Sequence, residues 1–150
     1  MFSQIPKETI DISMVVLFNL YNFLLILMFY GRVNPKWRFG GIPAVASLWL
    51  GIPFFILPII NLLQQREWWT YVLPFILVGF IILEVVIDYI LKLEFRQSWL
   101  VGPYLLIFFV SNMLMVGYAF LVRLALGFIS LAIYFVMTAV SIYARMKTGL

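Results

Sequence analysis

Cysteine and histidine are both absent from this 150-residue chain. Without Cys there is no disulfide, no thiolate nucleophile and no sulfur-ligated metal. Without His the usual acid–base group at neutral pH and the commonest metal ligand are missing. Haem, copper and zinc sites are therefore not expected, and no cofactor is. Charge is also scarce, at 11% of residues. The net charge of +4 is not a nucleic-acid signature, because the basic residues cluster at the ends of apolar runs, where anionic headgroups account for them. There is no Gly-rich phosphate loop, no Gly-x-Ser-x-Gly and no metal-ligand spacing. No Asn-x-Ser/Thr acceptor or lipidation motif occurs. The first residues carry mixed charge, and Phe29-Tyr30-Gly31-Arg32 offers no cleavage site, so the first apolar run is expected to be retained.

What the chain has is apolar length. Hydrophobic residues make up 65% of it, and the mean hydropathy is +1.10. A soluble domain of this size could not hide that much apolar surface. The runs are continuous rather than alternating in segments of about ten, which excludes a β-barrel. The expected fold is all-α: a polytopic transmembrane helical bundle, one integral membrane domain over residues 1–150, multi-pass in the cell membrane.

Five spans of about 20 residues fit a bilayer. They run from about Ile12 to Tyr30, Ile42 to Leu63, Thr70 to Leu91, Leu100 to Phe120 and Leu124 to Ala144. Thr9 and Asp11 are candidate caps for the first, and Ser98 for the fourth. Gly40-Gly41 and Pro43 open the second. Only Val122-Arg123 separates the last two spans. Joined, they would make a helix of about 67 Å, too long for a bilayer, so a tight hairpin at Arg123 is predicted. One side of this arrangement carries Lys7, Arg66 and Arg123; the other carries Arg32, Lys36, Arg38, Lys92, Arg96, Arg145 and Lys147. The richer side should be cytoplasmic, with the N-terminus outside and the C-terminus inside. Trp37, Trp68, Trp69 and Trp99 fall at span ends, as interfacial indoles do.

Glu84 and Asp88 lie within the third span. An ionisable group there is costly and marks a functional-site hypothesis. Four residues apart on an α-helix, they share a face with Lys92 and Arg96. A structural role fits Asp88, paired to a snorkelling Lys92. It fits Glu84 less well, since Glu84 is two turns deeper than Lys92, about 5.4 Å per turn. Two chemistries suit the pair. Glu84 could be protonated at rest and serve a proton-coupled carrier. Alternatively, both carboxylates could stay charged and bind a cation or an amine, lined by Phe80, Tyr89, Tyr104, Phe108 and Phe109.

Asn19, Asn22, Asn61, Ser111 and Asn112 are polar positions within spans. Asn112, near mid-membrane, is either an interhelical hydrogen bond worth about 1 kcal/mol or a polar partner for Glu84 or a ligand. Pro53 and Pro58 interrupt the second span, and Asn61 could serve a freed carbonyl. The candidate ligand-binding residues are thus Glu84, Asp88 and Asn112. The leading expectation is a transporter or ligand-binding membrane protein for an ion or small solute. The alternatives are a non-catalytic accessory subunit and a membrane enzyme acting on a lipid or isoprenoid. A bundle this small has little room for a private pathway, so a homo-oligomer or a partner membrane subunit is expected.

Overall fold

The computed structural model describes residues 4–94 and 98–149. All its elements are helical: α1 (Lys7–Val33), α2 (Ile42–Trp49), α3 (Gly51–Leu63), α4 (Trp69–Glu84) continuing into a π-helical run (Val85–Ile90), α5 (Val101–Val122) and α6 (Leu124–Thr148). Taking α2 with α3, and α4 with the π run, five helices are long and apolar enough to cross a membrane. This is the architecture of a multi-pass α-helical membrane protein.

The spans close into a ring. α1 packs against α6, α6 against α5, α5 against α4 and α4 against α3, while α1 also touches α2 and α3. Met14, Phe18, Tyr21, Leu25 and Phe29 form the buried stripe of α1 at three- and four-residue steps. They meet Phe54, Leu77, Phe80, Phe108, Met115 and Met137 in one core. The opposite faces are apolar and exposed, including Phe23, Phe55, Leu106 and Phe135. Such a belt suits hydrocarbon, not water.

Several local features differ from expectation for identifiable reasons. α1 begins at Lys7, five residues early, behind Pro6 and without a side-chain cap. Thr9 and Asp11 therefore lie inside the helix, and Asp11 has long-range partners instead. The second span breaks at Leu50. Pro53 has no N–H to offer the Trp49 carbonyl, and the helix loosens there. Pro58 sits inside α3 without breaking it. The third span ends not as an α-helix but as six π-helical residues, with the Leu91 N–H on the Val86 carbonyl at 2.8 Å. Wider turns take residues four apart out of register. Lys92 then leaves the helix in a left-handed conformation (φ 51). The expected Glu84–Asp88–Lys92–Arg96 stripe therefore does not exist as one α-helical face, and Arg96 falls outside the described residues.

The predicted hairpin is present. Arg123 is a single extended residue (φ −154, ψ 140) between α5 and α6. Gly127 makes the tight return possible, because a Cβ there would overlap the Phe120 ring. α6 ends on Gly149 (φ 70), whose N–H meets the Arg145 carbonyl at 2.8 Å, a left-handed helix stop.

Candidate functional site

Two polar sites lie at opposite ends of the bundle. The first, at the end carrying Lys7, Arg66 and Arg123, was not apparent from sequence. A left-handed Gln65 (φ 52) ends α3, and the Arg66 N–H turns back onto the Asn61 carbonyl at 3.1 Å. This aims the Arg66 side chain inward. Its guanidinium grips Asp11 of α1 through two parallel bonds, Nη1–Oδ1 at 2.7 Å and Nη2–Oδ2 at 2.8 Å. It also donates to Asn61 Oδ1 at 2.8 Å. Tyr118 of α5 donates to Asp11 Oδ1 at 3.0 Å. The Arg66 and Asp11 side chains are only 8% and 13% exposed. The hydrogen bonds that Arg66 donates to Asp11, opposed by burial and reinforced by the Asp11 charge, raise the Arg66 pKa above its ordinary value, so the guanidinium stays charged at every accessible pH. These bonds make the arrangement a clamp joining α1, α3 and α5. Nearby, Glu8 and Arg123 form an exposed ion pair.

The second site surrounds Glu84 at the basic end. A cavity of about 10 Å3 is lined by Glu84 of α4, Tyr104 and Phe108 of α5, Arg145 of α6, and Arg32 and Phe29 of α1, among others. That is room for one water molecule. The Tyr104 hydroxyl donates to Glu84 Oε1 at 3.4 Å, a long bond. Phe80 packs at a tilt against Tyr104 and Phe108 with ring centres 5.4 and 5.3 Å apart, and Phe108 meets Phe29 edge-on at 6.5 Å. These rings wall the carboxylate off from the core. Arg32 is exposed and lies over the Phe29 ring at 5.2 Å, which places the cavity mouth at the basic end.

Of the residues singled out from sequence, Glu84 lines this cavity. Asp88 is half-buried on the π run and does not line it. Asn112 is fully buried one turn beyond Phe108, to whose carbonyl its amide donates at 2.8 Å. Among the aromatics, Tyr104 and Phe108 line the cavity, Phe80 and Phe109 pack behind, and exposed Tyr89 faces outward. Asn61 serves a freed carbonyl, but not Pro58's: its amide meets the Thr70 carbonyl at 2.9 Å, the acceptor that Pro74, four residues on, cannot reach. Arg32 and Arg145 read in the sequence only as interfacial anchors. A signal for Arg145 was available: Ser130, Tyr134, Thr138, Ser141 and Arg145 recur at three- and four-residue steps on the inward face of α6.

Buried polar atoms without hydrogen-bond partners continue from this site along the helices. They include the Tyr21 hydroxyl and Asn22 Oδ1 on α1, Asn112 Oδ1 on α5, and the hydroxyl oxygens of Ser130 and Ser141 on α6. Buried polar groups are nearly always satisfied, by protein or by water. A larger hollow of about 470 Å3 lies outside the bundle, between α2–α3 and α4 with its π run. Its lining is wholly apolar, with Ile52, Phe55, Ile82 and Val86 among it, and Glu84 is not part of it. Among the described residues, no group of three potential metal ligands comes together.

Comparison with known proteins finds no matching family model, no matching curated protein and no matching solved structure.

Proposed function

We propose that this chain is a multi-pass protein of the cell membrane, N-terminus outside and C-terminus cytoplasmic, that binds and moves an ion or small solute through a site at Glu84. The observation that carries the reading is the cavity itself. An intramembrane carboxylate, two guanidiniums and a tyrosine hydroxyl converge there from four helices. A half-buried carboxylate within a membrane span is costly to keep without a use. The unpartnered polar atoms on α1, α5 and α6 support a hydrated route toward it. Proteoliposomes holding a pH-sensitive dye test the reading under simple salt gradients. Wild type should couple the salt gradient to proton movement, and Glu84→Gln should lose that coupling. Identical behaviour of both proteins would reject a transport site at Glu84.

A second reading has its own observation. The apolar hollow against α2, α3 and α4 suits the helix of a partner membrane subunit or a second copy of the chain, as an accessory subunit would need. Purification separates the two. A stable, monodisperse protein obtained alone supports the solute-binding reading; recovery only with a partner chain supports the accessory one.

A further inference from the structure

The two arginines decide what the Glu84 cavity can hold. We propose that it is a binding site for a small monovalent anion, in which the Glu84 carboxylate is the resident competitor and gives way when protonated. The inference rests on the solute-binding reading above and names its ligand class.

The charged groups facing the cavity are Arg32 from α1, Arg145 from α6 and Glu84 from α4. Two positive charges thus face one negative. Asp88 is the next acid on the same element, and Arg96 lies outside the described residues. A bare cation placed here would sit beside two guanidiniums, and like charges so close disfavour it. An anion meets the groups that recognise it best, since guanidinium forks match the two oxygens of a planar oxyanion. A hydroxyl donor completes the set. Tyr104 lines the cavity and already points at Glu84. Tyr21, one turn before the cavity-lining Leu25 on α1, is fully buried and its hydroxyl has no hydrogen-bond partner.

Size supports competition rather than coexistence. The space left beside Glu84 is about 10 Å3, enough for one water and not for a second carboxylate-sized group. The anion must therefore take the place of the Glu84 head. Protonation of Glu84 removes the one negative charge lining the cavity, so the two arginines there favour the anion more strongly. Binding of a proton and of an anion then favour one another reciprocally. The mouth near exposed Arg32 gives access from the basic end.

Nitrate is the probe. Protein in nanodiscs of neutral phosphatidylcholine is titrated with N-methylglucamine nitrate at pH 5 and pH 7.5, and the thermal midpoint is read. Wild type should respond at both, with half-saturation at lower nitrate at pH 5 by about 5- to 150-fold, the usual range of such coupling. Glu84→Gln should respond at pH 7.5 as wild type does at pH 5 and should lose the pH dependence. Arg32→Gln, at an exposed position that threatens folding little, should weaken nitrate binding by about tenfold or more. Absence of a nitrate response in Glu84→Gln at both pH values would overturn the proposal. A response to potassium paired with a bulky anion, but not to nitrate, would overturn the anion while leaving a solute site at Glu84 intact. No response of any variant to either salt would remove both readings. If anionic phosphatidylglycerol in the disc raises the midpoint and nitrate does not, the arginines hold a lipid headgroup and the solution anion is wrong.

Discussion

Asp11 and Arg66 show how far a residue's role can lie from its local sequence signal. Asp11 follows Thr9 ahead of an apolar run, where a helix cap would stand. Its partners are 55 and 107 positions away, Arg66 and Tyr118, and no local pattern points to them. The pair is bidentate and largely buried, so removing one partner strands the other. Asp11→Ala should cost about 3 kcal/mol, the lower end for breaking a buried pair, because the clamp lies at the end of the bundle. Tyr118→Phe should cost about 1 kcal/mol, the loss of one hydrogen bond. Replacing both Asp11 and Arg66 with apolar residues should cost less than the two single changes added together. Unfolding in detergent, run as a double-mutant cycle, measures this; strict additivity would mean that the clamp is not formed. Because Asp11 raises the Arg66 pKa, the part of the stability that resides in Arg66 is fully present below the ordinary guanidinium value. That contribution is lost only as the pH rises through the raised folded value. Between pH 5 and 9 Arg66 should therefore add no slope to the stability curve.

Elements were far more legible than their interiors. Hydropathy and bilayer length located five spans, and the length limit alone required the turn at Arg123. What hydropathy cannot register is how a helix departs from α geometry. The π run Val85–Ile90 took Asp88 and Lys92 off the face on which a four-residue step would place them. Nor can sequence order tell which proline an amide serves. Asn61 stands near Pro58 in the chain, yet it answers Pro74 across a helix pair, at the Thr70 carbonyl. That assignment makes a prediction. Asn61→Ala should cost about 1 kcal/mol or somewhat more in wild type, because the Thr70 carbonyl and Arg66 each lose a partner. In a Pro74→Ala background, residue 74 can supply the missing N–H, so the same change should cost clearly less. Equal costs in the two backgrounds would show that Asn61 does not compensate Pro74. The hairpin has its own test. Gly127→Val drives a side chain into the Phe120 ring and should destabilise the protein by about 1–3 kcal/mol, as overpacking does. An unchanged thermal midpoint would mean that α5 and α6 can separate there at no cost.

At the scale of the whole molecule, the charges are arranged along one axis. Lys7, Arg66 and Arg123 share their end with Glu8, Asp11 and Glu67, and ion pairs join Arg66 to Asp11 and Arg123 to Glu8. That end is balanced, and by sequence the whole net charge of +4 falls at the other. The uncompensated end carries the Glu84 cavity, so membrane orientation and site chemistry are linked: the side that anionic lipid and the positive-inside rule assign to the cytoplasm is also the side from which a ligand would reach Arg32. A chain without cysteine allows a direct test. Arg123 is the one-residue turn between α5 and α6, and its pair with Glu8 has side chains 57% and 64% exposed. Exposed pairs contribute about 1 kcal/mol or less, so Arg123→Cys should fold. In intact cells it should react with a membrane-impermeant thiol reagent from outside, whereas Lys147→Cys should react only after the membrane is opened. Labelling of Lys147→Cys alone from outside would invert the orientation and place the Glu84 mouth outside. Labelling of both from the same side would be incompatible with an odd number of spans, and the hairpin at Arg123 would have to be abandoned.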